Sequence, residues 1–214
     1  MTLLHDDTDA EKRACILETA ERLFRDVGYL KTTVADIAKT LKMSPANIYR
    51  FFDSKKAIHE GVARRLMGEV ETAAEEIAAK TTPPAERLHE LLATVSRMNA
   101  ERFVGDSKIH EMVAIAVEES WDVCEAHMHR VVMAIGLVIA DGAKVGAFNV
   151  SDVELAAKIT CAGMLRFFHP QMIEQSINKP GPNLDQMIDF IVAGLTLGTP
   201  DMSSGKIAAD KASS

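Results

Sequence analysis

The fifteen residues from Lys42 to Lys56, KMSPANIYRFFDSKK, gather side chains that could recognise a polyanion. Lys42, Arg50, Lys55 and Lys56 are basic, Tyr49, Phe51 and Phe52 are aromatic, and Asn47 adds a carboxamide. In a DNA major groove, Asn can pair with an adenine edge and Arg with guanine, and small residues such as Pro45 and Ala46 allow close approach to thymine methyls. A tyrosine hydroxyl and lysine ammonium groups suit phosphate oxygens. That chemistry needs these groups on one face, so the elements that carry them decide the matter.

The flanking pattern supplies such elements. Residues 10–27 place Ile16, Leu17, Ala20, Leu23, Phe24 and Val27 at helical spacing, and Gly28 sits where a left-handed cap is expected. A second, short helix follows, with Thr33 as cap, Asp36 completing a capping-box pair, and Val34, Ile37, Ala38 and Leu41 as its buried stripe. KMS is then a three-residue turn in which Ser44 caps a third helix, PANIYRFF, and Pro45 takes the first helical position. With Ile48, Phe51 and Phe52 turned inward, Pro45, Ala46, Asn47, Tyr49 and Arg50 are left on the outer face. Lys55 and Lys56 open the next helix, whose free N–H groups favour a phosphate, and Thr32 and Thr33 lie ready for the flanking backbone. Two short helices joined by a tight turn and braced by a longer one make a helix-turn-helix.

Charge is distributed to match. Between Lys12 and Lys56 ten Lys or Arg face five Asp or Glu, a net +5, whereas the whole chain carries −7. The remainder is therefore acidic, at −12. A basic block on an acidic body points to two tasks.

After Asp53 or Ser54 a long helix runs to about residue 80, with Ile58, Val62, Leu66, Val70, Ala73 or Ala74, and Ile77 on one face, and TTPP at 81–84 ends it. Further helices are expected near 85–104, 107–119, 122–141, 151–168 and 184–198. No segment alternates with period two, so the fold class is all-α. With 47% hydrophobic and 26% charged residues the chain reads as globular, and its longest apolar run, VVMAIGLVIA at 131–140, is too short for a membrane span. The acidic N-terminus lacks the apolar stretch of a signal peptide, and three unclustered cysteines indicate neither a disulfide framework nor a zinc knuckle. A cytoplasmic location is expected.

Residues 16–58, in the order A..LF...GY..TTV.DIA..L..S...IY.FF.SK, resemble the DNA-binding domain of tetracycline-repressor-like (TetR family) regulators. The resemblance implies phosphate contacts from Thr33, Tyr49 and Lys55, and base reading by Pro45, Ala46 and Asn47, with Arg50 beside them. Family members often have Gly-Thr or Lys-Gly where this chain has Pro45-Ala46, which leaves the operator sequence open. The resemblance also implies a C-terminal domain that binds a small effector and dimerises. The expected organisation is a three-helix helix-turn-helix DNA-binding domain at 10–56, a helical effector-binding and dimerisation domain at 57–198 with 57–80 as connecting helix, and a mobile tail at 199–214.

Within the acidic body, pocket candidates are Met98, Phe103, Met112, Trp121, Cys124, Met128, Met133, Phe148, Met164, Phe167 and Phe168, because soft Met side chains adapt to irregular ligands. The same residues could equally be ordinary core. Small residues beside large apolar ones suit close helix packing between subunits, with Ala156, Ala157, Cys161, Leu165, Met187, Phe190, Ile191, Gly194 and Leu195 as interface candidates. An internal core would look similar. In CEAHMHR at 124–130, Cys124 and His127 share a helical face but His129 does not, so a metal would need ligands from elsewhere, such as His110 or His169; no metal or other cofactor is expected. Nucleophile-elbow, phosphate-loop, Cys-x-x-Cys and dinucleotide motifs are all missing, so nothing argues for an enzyme. The expected partners are a double-stranded DNA operator, a small apolar effector and a second copy of the chain, with no membrane. Family resemblance favours a repressor that the effector releases from DNA by swinging the 54–80 helix.

Overall fold

A computed structural model describes residues 3–103, 108, 112, 113, 115, 116 and 121–198; for 3–7, Phe103 and Trp121 only the backbone is described. The helix expected at 107–119 falls mainly outside the described residues, although positions 108, 112, 113, 115 and 116 are helical, and the tail at 199–214 lies wholly outside them. Among the described residues every regular element is an α-helix. In chain order these are α1 (Leu3–Asp26), α2 (Val34–Thr40), α3 (Pro45–Tyr49), α4 (Lys55–Ala78), α5 (Pro84–Phe103), α6 (Trp121–Lys144), α7 (Val153–Gly163), α8 (Leu165–Phe168), α9 (Pro170–Ser176) and α10 (Leu184–Leu197).

Two apolar cores form. The first unites Ile16, Ala20 and Phe24 of α1, Val34, Ile37 and Ala38 of α2, Ile48 of α3, Phe51 and Phe52, and Ile58, Val62 and Leu66 of α4. The second gathers Val70, Ala74 and Ile77 of α4 with Leu88, Leu91, Leu92 and Val95 of α5, Val131, Ile135, Val138 and Ile139 of α6, and Ala156, Ala157, Met164, Ile188 and Leu195 beyond. One helix, α4, thus feeds both. Its stripe needs no kink to do so, because positions 58, 62, 66, 70, 74 and 77 recur every three or four residues and wind slowly round the helix from one core to the other.

Local signals account for most boundaries. Gly28 adopts φ +105, as a turn after α1 requires. Lys42 takes φ +54, a left-handed conformation that Gly would hold more cheaply, and Met43 N–H reaches the Ala38 carbonyl at 2.8 Å to close the end of α2. Several expectations need correction. α1 begins at Leu3, ahead of residue 10, and Val27, one position past its end at Asp26, is 45% exposed. α3 stops at Tyr49 instead of running through Phe52: Phe51 and Phe52 drop into the core, and the Arg13 guanidinium takes the Phe51 carbonyl at 2.7 Å. The 151–168 helix breaks at Met164, whose side chain is fully buried, and a short unexpected helix, α9, starts with Pro170 in its first turn. α6 is long and apolar enough in composition to cross a membrane, yet Val131, Ala134, Ile135, Val138 and Ile139 face the second core.

Arg87 locks this second core to the end of α4. Its side chain is buried, and Nη1 donates to the carbonyls of Ala78 (2.9 Å) and Lys80 (2.7 Å) and to Asp141 of α6 (3.2 Å). These are C-terminal carbonyls with no partner inside the helix, so one cation both caps α4 and ties it to α6. Arg87→Met keeps the stem and strands the acceptors; urea denaturation should show a loss of about 2–4 kcal/mol, whereas an unchanged midpoint would remove Arg87 from this role.

Candidate nucleic-acid interface and ligand cavity

The presentation of α3 is built from short-range bonds. Ser44 accepts the Asn47 N–H at 3.2 Å, and Pro45 in the first turn has no N–H to satisfy. At the start of α2, the Thr33 N–H and hydroxyl donate to the Asp36 carboxylate (2.9 and 2.6 Å), and the same hydroxyl accepts the Asp36 N–H (3.2 Å). Those bonds from Thr33 hold the Asp36 carboxyl below its usual range. Arg13 then pins α3 from behind. Besides its bond to Phe51, its guanidinium lies 5.8 Å from the Phe51 ring centre and 5.3 Å from that of Phe52. Arg13 stays exposed over much of its surface, but its guanidinium is held against Phe51 and Phe52, so it braces the end of α3. Sequence reasoning passed over it, since only its stacking partners reveal the role.

The side chains expected to read DNA fall mostly as anticipated in place. Ser44, Pro45, Ala46, Tyr49, Arg50 and Lys56 are exposed and Asn47 is half-buried, so one side of α3 is open. Tyr49 is 49% exposed, with no hydrogen bond among the described residues. Lys55 lies with Nζ 4.1 Å from the Tyr29 ring centre and donates to the Leu30 carbonyl at 3.4 Å. Thr33 is exposed, but Thr32 is a correction: it is buried, and its hydroxyl donates to the Gly28 carbonyl at 2.8 Å, holding the corner between α1 and α2.

A second feature lies at the junction of the two cores. A cavity of about 270 Å³ is bounded by His59, Ala63, Leu66, Met67 and Val70 of α4, Val95, Asn99 and Arg102 of α5, and Cys124, His127, Met128 and Val131 of α6. Met112, Val113, Ala116, Cys161, Leu165, Phe168, His169 and Pro170 complete it. Its cation Arg102 and the imidazole of His127 are both already bonded to carboxylates. Arg102 donates to the Leu66 carbonyl (2.5 Å) and to Glu69, and His127 Nδ1 donates to Glu71 at 2.9 Å. Burial lowers the His127 pKa against the opposing pull of Glu71, and burial likewise lowers that of His169, so both rings are neutral near pH 7. Burial raises the thiols of Cys124, which Asp122 pushes further, and Cys161.

Of the expected pocket residues, Met112, Cys124, Met128 and Phe168 line this cavity. Met164 and Phe148 are instead core, Met98 and Phe167 pack against that core, and Met133 is 55% exposed on the outer side of α6. The Phe103 and Trp121 side chains and His110 lie outside the description. Helical spacing alone could not tell which face of α5 or α6 meets the gap. His59, fully buried and 4.4 Å from the Tyr29 ring, was missed because nothing local marks it. Among the described residues no three His, Cys, Asp or Glu come together to hold a metal.

The expected interface also needs revision. Ala156, Ala157 and Leu195 are buried within the subunit, where the small α7 residues let α6 approach closely: a Cβ on Gly136 would lie 3.6 Å from that of Ala157. Cys161 and Leu165 line the cavity, and Met187 and Ile191 pack against the core. Phe190 (77% exposed) and Gly194 do face outward, and with them Ile159, Ala162, Gly163, Ala193 and Leu197 (83% exposed). The 190, 193, 194, 197 spacing is a helical stripe that the sequence already contained.

An exposed helix-turn-helix on a helical body with a mainly apolar, partly open cavity is the architecture of a DNA-binding regulator. The chain belongs to the TetR family. Residues 16–62 match the model for bacterial regulatory proteins of the tetR family, and residues 84–184 match the tetracyclin repressor-like C-terminal domain. The HTH-type transcriptional regulator YhgD of Bacillus subtilis is 26% identical over 147 residues, 69% of this chain and 77% of that protein. A crystal structure of a TetR/AcrR-family regulator from Thermobifida fusca superposes with a TM-score of 0.60 at 21% identity, covering 89% of this chain and 99% of that one. SmeT of Stenotrophomonas maltophilia, the repressor of the SmeDEF multidrug efflux pump, gives 0.63 at 18% identity over 85% of this chain and 88% of its own, and a SmeT complex with triclosan is similar at 0.62. The protein is therefore a transcriptional regulator and not an enzyme.

Two substitutions separate the roles on α3. Asn47→Ala should change the preferred base at one operator position by about 1–3 kcal/mol, whereas Tyr49→Phe should weaken all sequences alike. Binding-site selection with each variant checks this; equal losses on every operator variant for Asn47→Ala would remove Asn47 from base reading.

Proposed function

We propose that the protein is a homodimeric repressor that a small, mainly apolar effector releases from its operator. The observation that carries the reading is the position of the cavity. It lies where α4 passes from the helix-turn-helix core to the second core, and Met112 belongs both to its wall and to the helix-turn-helix core. The carbonyl of Met112 is also 3.1 Å from His59 Nε2 on α4. An occupant pressing on this wall acts on the packing that fixes α3, without a long relay.

The working division is a DNA-binding unit at 10–56 and an effector and dimerisation unit at 57–198, with the first turns of α4 joining them. Pro45, Ala46, Asn47 and Arg50 enter the major groove, Ser44 holds the helix start, and Thr33, Tyr49, Lys55 and Lys56 hold phosphates. The exposed stripes of α7 and α10, centred on Ile159, Phe190 and Gly194, pair with their copies to set two α3 helices for successive grooves, about 34–36 Å apart. Occupying promoter DNA in this way excludes polymerase, and the named function of SmeT agrees with repression. Its work on DNA places it in the cytoplasm.

Fluorescence anisotropy on DNA from upstream of its own gene, with excess random competitor and a salt series, tests this. Saturable binding that survives competitor is expected, with affinity falling as salt rises; loss of all binding to competitor contradicts a specific operator there. Phe190→Glu should convert the dimer to a monomer in light scattering and weaken operator binding at least tenfold. A dimer that persists in this variant would move the interface off α10.

A further inference from the structure

The wall of the cavity also carries chemistry that selects a ligand class, which rests on the reading of this cavity as the effector site. Asn99 of α5 is only 7% exposed. Its Nδ2 donates to the Phe168 carbonyl at 2.9 Å, which fixes the carboxamide so that Oδ1 is the free end. Oδ1 has no partner among the described residues and is not sealed off, so it remains an open acceptor on the lining. The next residue along the chain from that carbonyl, His169, lines the same cavity. Its Nδ1 is enclosed without a partner. A proton there would be a buried donor with no acceptor, which proteins rarely tolerate, whereas a bare lone pair is less costly. The neutral ring therefore carries its proton on Nε2, as a donor.

The acceptor Asn99 Oδ1 and the donor His169 Nε2–H, linked through Phe168, sit at a mainly apolar cavity in which Arg102 is paired to Glu69 and His127 is bonded to Glu71. We infer that the cavity takes an uncharged apolar molecule bearing a hydroxyl, an alcohol or a phenol, whose O–H donates to Asn99 Oδ1 while its oxygen accepts from His169 Nε2–H. A hydroxyl is matched on both counts. A carboxylate would satisfy His169 but meet the Asn99 oxygen with its own lone pairs. An ammonium would satisfy Asn99 and meet the imidazole N–H with another N–H. Neither ion would find a free counter-charge among the described lining, and an unpaired charge in an apolar site is strongly disfavoured.

The test uses the full chain without DNA and three probes of equal chain length, 1-octanol, octanoate and octylammonium, titrated by calorimetry at pH 7.5. Octanol should bind at least about tenfold more tightly than either ion. His169→Phe and Asn99→Leu, each confirmed as folded by circular dichroism, should each weaken octanol about three- to tenfold, as loss of one hydrogen bond does. 1-Chlorooctane, which has no O–H, should bind the variants and the parent alike. Octanoate or octylammonium binding as tightly as octanol overturns the inference. So do unchanged octanol affinity in both variants and failure of octanol to bind at its solubility limit. Operator release is scored separately: octanol that binds without releasing DNA contradicts the effector reading and leaves the hydroxyl site standing.

Discussion

A single apolar stripe on α4 has to satisfy two cores at once. Ile58, Val62 and Leu66 close the helix-turn-helix core, and Val70, Ala74 and Ile77 the second. Because α4 is one unbroken helix, the two sets cannot rotate independently. Rotation of its second half would carry Ile58 with it, and the packing under α3 would have to follow. Both ends are held: Ser54 caps the start by accepting the Ala57 N–H at 3.0 Å, and Arg87 ties down the last carbonyls.

The cavity follows from the same constraint. Where the stripe passes from one core to the other, neither set of partners fills the space beside Ala63, Leu66 and Val70, and the gap is walled by α5, α6 and the α7–α9 region instead. Its surroundings are mostly apolar because they are the rims of two cores. The polar groups that reach it are either spoken for, as with Arg102 and His127, or held in a fixed direction, as with Asn99. DNA-facing chemistry sits at the other end of this helix, on a surface stiffened by the Thr33–Asp36 box, the Ser44 cap and Arg13 behind Phe51. Rigidity there serves base reading, since a groove contact loses its discrimination when its side chain wanders.

What the sequence revealed was what short-range chemistry determines. The caps Thr33 and Ser44 and the first-turn Pro45 act within three or four positions, so their geometry was legible, as were the inward faces of Ile48, Phe51 and Phe52. Thr32 was misread because its hydroxyl turns back to Gly28, a choice made by the corner and not by residue type. The cavity list was only partly right, since Met112 and Met164 have the same chemistry and differ in which neighbouring helix covers them. No helix was expected between residues 168 and 184, although Pro170 stands in the first turn of α9, where proline is commonly found. Ala156 and Ala157 illustrate the same limit: small residues invite close packing, but not with a stated partner.

Native-state hydrogen exchange on Ala74→Gly tests the shared role of α4 most directly. Ala74 is fully buried in the second core and belongs to the stripe, far along the helix from α2 and α3. Glycine there costs about 1 kcal/mol of helix stability, close to a fivefold change in an opening equilibrium. If α4 binds the two cores into one unit, the amides of Ile37 and Ile48 should lose protection by about that factor, together with those of α5 and α6. Unchanged protection at Ile37 and Ile48, with loss confined to the second core, would show two independent units and contradict the account.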